Sequence, residues 1–271
     1  GGIYTTHMRD EGDHIMASLE ETVSTARAAG VPVGISHHKC TGPANRGRSV
    51  ETLDYISLAR NDTVVGLDAY PYAAGSTVLD PDWVEDGVPV MITTSEPHPE
   101  RRGQYLADIA ADWNCTEVEA ARRLGPAGAI YFRMHEDDVQ RILAYPPTMI
   151  GSDGLPHDGH PHPRLWGAFP RVLGHYSRDL GLFDLATAVH KMTGLSAATF
   201  GLPDRGLVRE NAFADLVIFD AATVADVGTY ENPKQPAAGI EHVLVNGIVA
   251  CTGGQVHDSR SGQVISRPGR E

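Results

Sequence analysis

Apolar and polar positions follow a rhythm along this chain that changes twice. Residues 3–7 form a short apolar run ending in His7. Over residues 14–29 the apolar positions Ile15, Leu19, Val23 and Ala26 recur three or four residues apart, and Gly30 follows. That period predicts a helix with one buried face, stopped by the glycine beyond its last turn. Residues 31–36 read as a buried strand ending at His37. The turn-rich segment Thr41-Gly-Pro-Ala-Asn-Arg-Gly47 comes next, and Ser49 then caps a second helix with Val50, Leu53, Ile56 and Leu58 as its apolar positions. Residues 63–70 form a third strand. Strands alternating with helices of this length predict βαβ units in a parallel sheet, an α/β fold.

The rhythm breaks after Pro71. Residues 84–145 offer two charged helical stretches and no comparable strand pair. One opens on Thr116-Glu-Val-Glu119, a capping-box pattern, and the other is Glu136-Asp-Asp-Val-Gln-Arg-Ile-Leu143. An α-rich insertion at a βα loop is a common way to cover a site. A strand over residues 148–153 resumes the pattern, followed by a long loop crowded with His and Pro and by helices near 183–192 and 196–200. From Gly206 the pattern changes again: residues 214–219 and 240–247 alternate as strands do, and Asn246-Gly247 is a hairpin signal. A small β domain is expected there.

Parallel α/β folds keep their chemistry at the carboxyl ends of their strands. Four strands here end on metal-competent residues: His7, His37, Asp68 and Asp153. Two imidazoles and the Asp153 carboxylate make a set that a borderline metal such as zinc accepts. Neighbouring residues on a strand face opposite ways, so of His37 and His38 only one points to the site. His157, His160 and His162 read as members of a solvated loop. Arg164, beyond that loop, offers a planar fork for a substrate carboxylate, and Lys39 offers a second cation. Asp68 serves to orient its neighbours, and Tyr70 and Tyr72 pack around Pro71.

Composition narrows the classes. The chain has 271 residues, 41% hydrophobic and 21% charged, as expected of a soluble globular protein. A formal charge of −13 argues against a nucleic-acid partner, which would want a basic face. No apolar stretch approaches the roughly 20 residues that span a bilayer. Three scattered cysteines, Cys40, Cys115 and Cys251, contain no CxxC pair, so a disulfide framework is not expected and a reducing, cytoplasmic location is. The chain begins Gly1-Gly-Ile-Tyr4 with no initiator Met and no secretion signal, so its natural N-terminus is expected to lie further upstream.

Several segments together resemble the N-acyl-D-amino-acid deacylases of the amidohydrolase superfamily. They are Thr6-His-Met-Arg-Asp-Glu11, Ser36-His-His-Lys39, Asp68-Ala-Tyr-Pro-Tyr-Ala-Ala-Gly-Ser76, Gly151-Ser-Asp-Gly-Leu-Pro156, His162-Pro-Arg-Leu-Trp-Gly167 and Lys191-Met-Thr-Gly-Leu195. Ala214-Asp-Leu-Val-Ile-Phe-Asp220 and Val245-Asn-Gly247 match the way the wider superfamily ends. The resemblance implies the C-terminal half of a metal-dependent-hydrolase (β/α)8 TIM-like barrel with an inserted segment and part of a small β-sandwich. It assigns residues 1–83 to barrel strands 5–7, 84–146 to an α-rich lid, 147–205 to the last strand and its helices, and 206–271 to the sandwich. It also implies a zinc cofactor held by His7 and His37, with Asp153 as catalytic acid/base and weak metal ligand. Lys39, Tyr70, Ser76 and Arg164 would hold the substrate, an N-acyl-D-amino acid whose linear amide is cleaved. The family's first-strand His-x-His pair and its later cysteine or carboxylate ligand have no counterpart here, and His160-Pro-His162 lies after the final strand. The implied partner is therefore a missing N-terminal half, or another chain, that completes the barrel. Cyclic-amide hydrolysis and a catalytically incomplete fragment are the competing expectations.

Overall fold

The computed structural model describes residues 2–265. From the N-terminus, strand β1 (Tyr4–Thr6), helix α1 (Ile15–Ala29), strand β2 (Val33–Ile35), helix α2 (Ser49–Ala59) and strand β3 (Val65–Ala69) follow in strict alternation. The four apolar positions of α1 are fully buried, because a stripe at that spacing has one way to leave water. Gly30 ends the helix in the left-handed conformation, φ 63°. In α2 only half the expected stripe faces inward: Leu53 and Ile56 are buried, while Val50 and Leu58 are exposed. Ser49 is the first helical residue rather than the cap, and its hydroxyl donates to the buried Asp138 carboxylate.

Strands β4 (Gly75–Val78) and β5 (Val90–Ser95), helices α3 (Leu106–Asp112) and α4 (Glu117–Leu124), and strand β6 (Ala127–Tyr131) make a second unit. Its three strands form an antiparallel sheet in the order β4-β6-β5. This corrects the expectation of a segment without a strand pair. Two physical reasons hid the sheet. In β5 every residue but Thr94 is buried, so no alternation appears, and β6 begins Ala-Gly-Ala, poor strand formers. The capping box of α4 is present, with Thr116 Oγ1 accepting from Glu119 N at 3.2 Å and Glu119 Oε2 accepting from Thr116 N at 3.0 Å. The unit has its own core, built on Val90, Ile92, Leu106, Ile109, Leu124 and Tyr131.

Helix α5 (Glu136–Ala144) packs on α2, on β3 and on strand β7 (Thr148–Ile150), not on the inserted sheet. β7 completes a four-stranded parallel sheet in the order β1-β2-β3-β7. Helices α1, α2 and α5 bury Ile15, Leu19, Ile56 and Ile142 in one cluster with Val33, Ile35, Leu67 and Ile150 of the strands. After the His-rich loop, helix α6 (Arg164–Arg171) continues into wider π-type turns over Val172–Asp179. Pro170 and two glycines, all signals against a helix, obscured this element. Gly167 and Gly174 are needed because a side chain there would strike Tyr72 and the Val224 backbone. Helices α7 (Leu185–Met192) and α8 (Gly194–Phe200) follow.

Strands β8 (Leu216–Phe219), β9 (Ile240–Val245), β10 (Ile248–Thr252) and β11 (Gln255–Val256) form an antiparallel sheet in sequence order. Asn246 and Gly247 join β9 to β10 with φ of 49° and 80°, the left-handed pair that a two-residue hairpin requires. The connection between β8 and β9 returns to the main core, where Val224 is fully buried. The last part of the expected β portion, residues 266–271, lies outside the described residues. Among the described residues no helix is long and apolar enough to cross a membrane.

Candidate active site

The carboxyl ends of the parallel strands fall level. Thr6 pairs with Ile35, Ile35 with Leu67, and Leu67 with Thr148. Residues just beyond these ends, His7, His37, Tyr70 and Asp153, therefore open onto one cavity of about 1060 Å³. Lys39, Ser76 and Arg164 line it as well, so every expected site residue faces the same space.

His7 Nδ1 lies 2.9 Å from His37 Nε2, with ring centroids 4.7 Å apart. His37 follows β2 in a turn, with φ 40°, and its backbone N–H donates to Asp68 Oδ1 at 2.9 Å. Asp68 is thus spent on orienting that turn, and burial raises its pKa. His38 goes the other way: it is buried, its Nε2 meets Thr52 Oγ1 at 2.9 Å, and burial pushes its pKa down to about 4.

Sequence reasoning gave Glu11 no role of its own. Its Oε1 lies 3.0 Å from His37 Nδ1 and 2.5 Å from Lys39 Nζ. Burial pushes the carboxyl up, but the Lys39 charge and the His37 ring outweigh it and hold it at about 2. The signal was present in the sequence, an acid four residues after His7. Among the described residues, the donor atoms of His7, Glu11 and His37 all lie within 4.8 Å of one another. Two facing imidazole nitrogens backed by a carboxylate fit a borderline divalent ion.

Asp153 stands outside that group. It has φ 48° and pairs with Arg164, Asp153 Oδ2 accepting from Nη1 at 2.8 Å. Arg164 is 1% exposed, lies 4.5 Å over the Tyr70 ring and donates from Nη2 to the Ser76 carbonyl at 3.1 Å. Three buried polar atoms in this corner, Tyr70 Oη, Ser76 Oγ and Arg164 Nε, have no hydrogen-bond partner among the described residues. Lys39 is not a free cation, because its Nζ also donates to the His37 carbonyl at 2.8 Å. Burial lowers its pKa against the pull of Glu11.

The loop histidines are not solvated as expected. His162 is buried, with Nε2 donating to Ala74 O at 3.0 Å and Nδ1 accepting from Arg164 N at 2.9 Å. His160 Nε2 donates to Tyr230 O at 2.6 Å. Only His157 is largely exposed, at 75% of its side chain. The first two tie the loop to the inserted sheet and to the tail, contacts that local sequence does not reveal.

Comparison with known proteins matches this architecture. A model of the amidohydrolase family matches residues 1–250. A D-aminoacylase of Alcaligenes xylosoxydans xylosoxydans is 57% identical over 267 residues, 98% of this chain and 55% of that protein. An N-acyl-D-glutamate deacylase of the same organism is 53% identical over 248 residues, 91% of this chain and 51% of that protein. The crystal structure of an N-acyl-D-glutamate deacylase from Bordetella bronchiseptica, complexed with zinc and a phosphonate mimic of the tetrahedral intermediate, superposes with a TM-score of 0.93. It is 49% identical, and the match covers 97% of this chain and 55% of that one. The chain thus spans about half the length of these relatives. With a family model matched over residues 1–250 and the level strand ends that carry its polar residues, the chain belongs to the amidohydrolase family.

Proposed function

We propose that this chain is the carboxyl-terminal half of a zinc-dependent N-acyl-D-amino-acid deacylase, which hydrolyses a linear amide to a carboxylate and a free D-amino acid. The parallel sheet would be four of the eight strands of a (β/α)8 barrel, and the tail sheet part of its β-sandwich. Four strands in a chain about half as long as its relatives fit that proportion. The inserted sheet, whose Ser76, Val78 and Tyr131 line the cavity, would form the wall that covers the substrate. Cys40, Cys115 and Cys251 are all free thiols, which suits the cytoplasm.

The observation that carries this reading is the facing pair His7 Nδ1 and His37 Nε2, on the same cavity as the unpartnered Tyr70 Oη, Ser76 Oγ and Arg164 Nε. The imidazoles would hold zinc, which supplies an acidified water and polarises the scissile carbonyl. Tetrahedral zinc takes four ligands, so the remainder come from Asp153 or from outside this chain. Tyr70, Ser76 and Arg164 would bind the substrate's free carboxylate, whose oxygens satisfy their idle polar atoms. Asp153 would accept the proton of the attacking water and return it to the departing amine. Arg164 holds Asp153 in this structure, so a carboxylate arriving at the fork competes for the same cation and frees Asp153 for proton transfer.

The test is Asp153→Asn in the active holoenzyme, assayed by amine release from N-acyl-D-amino acids with zinc content measured in parallel. Turnover is expected to fall by ~10³-fold, within the range for losing a general acid–base group, while most zinc stays bound. Loss of zinc in step with activity would make Asp153 principally a ligand and sink its proposed role.

A further inference from the structure

Glu11 sits where one oxygen meets two groups. Its Oε1 is 3.0 Å from His37 Nδ1 and 2.5 Å from Lys39 Nζ, and Lys39 Nζ is itself 2.6 Å from His37 Nδ1. A neutral imidazole carries one hydrogen, and its position decides which nitrogen can donate a lone pair. Were Lys39 to donate to Nδ1, the hydrogen would lie on Nε2, the nitrogen that faces His7. Were Nδ1 to donate to Glu11, the Nε2 lone pair would face His7 and the cavity. Lys39 has two oxygen acceptors already, Glu11 Oε1 and the His37 carbonyl at 2.8 Å, and does not need the ring nitrogen. Nδ1–H has Glu11 as its acceptor. Glu11 is held as the carboxylate, which accepts hydrogen bonds and donates none.

We propose that Glu11 is a positioning residue: it holds His37 as the Nδ1–H tautomer, with Nε2 presented to the ion, and draws the Lys39 ammonium off the ring. This rests on the metal reading of His7 and His37 above. Glu11 is not itself a ligand, because His37 and Lys39 occupy Oε1 on the side of the ring away from His7. A carboxylate behind a ligating imidazole fixes the ring and raises its basicity, and its loss costs about 10–100-fold in metal affinity.

The test uses the full chain, zinc-free and zinc-loaded, with Glu11→Gln and Lys39→Met variants. Nitrogen-15 NMR of zinc-free wild type should report His37 as Nδ1–H, and Lys39→Met should keep it so. Glu11→Gln should move the hydrogen to Nε2 and weaken zinc binding about 10–100-fold, measured against a competing chelator. The visible spectrum of the cobalt(II) form should be the same in Glu11→Gln as in wild type, since no ligand is lost. If Glu11→Gln fails to fold by circular dichroism, Glu11→Asp, which retracts the carboxylate, should show the same tautomer shift. A wild-type His37 protonated on Nε2, or a cobalt spectrum altered by Glu11→Gln, overturns the proposal. Zinc affinity left intact by His7→Ala would instead remove the metal reading, while the tautomer comparison still decides the role of Glu11.

Discussion

His37 and Asp153 both hold φ in the left-handed region, 40° and 48°, where a residue with a side chain is strained on the order of 1 kcal/mol. Each follows a parallel strand, and in each the bend aims a polar side chain into the cavity. His162 makes the residue-scale prediction. Burial first, and the Arg164 charge second, keep its pKa well below the usual 6.5. As pH falls below about 6.5, the unfolded chain takes up a proton here that the folded chain refuses, so stability is lost on acidification. His162→Gln, which removes the titrating group, should flatten urea-measured stability between about pH 6.5 and 5, by up to about 1.4 kcal/mol per pH unit. An unchanged slope would mean that the folded ring protonates normally.

At the scale of elements, one spacing rule had two outcomes. In α1 the stripe of Ile15, Leu19, Val23 and Ala26 lies against the sheet. In α2 the same kind of spacing put Val50 and Leu58 in water. The difference comes from α5, which packs on α2 at a position set by β7, far along the chain. Leu19→Ala should therefore cost about 3 kcal/mol in urea unfolding, and Val50→Ala, half exposed, less than about 0.5 kcal/mol. Equal losses would contradict the packing of α2. Helix α1, its glycine stop and the Asn246–Gly247 hairpin were legible because each depends on neighbours within a few residues. Strands β4, β5 and β6 were not, since their pairing is non-local and their burial erases alternation.

For the whole molecule, the order β1-β2-β3-β7 leaves β1 and β7 as edges among the described residues. Tyr4 N donates to Pro32 O, and Ser36 N donates to Thr6 O, so the groups of β1 at these positions face β2. Thr5 lies between them with an exposed side chain, and its backbone groups face the open side. Open parallel edges recruit other strands, and lysine on an edge discourages it. The chain alone should self-associate with rising concentration in light scattering, and Thr5→Lys should reduce this while leaving circular dichroism unchanged. Monomeric wild type at every concentration would show that the edge is already covered.

The sequence by itself determined the α/β class, the buried stripe of α1, the turn chemistry, and the candidate residues His7, His37, Asp153 and Arg164, because residue type and short spacing carry that information. Only the tertiary structure decided what those residues meet. It set His7 against His37, put Glu11 behind His37, paired Asp153 with Arg164 and buried His162 beside Ala74. These contacts join residues that lie 4 to 88 positions apart through strand register and loop packing. Register is a property of the assembled sheet, and no local window of sequence contains it.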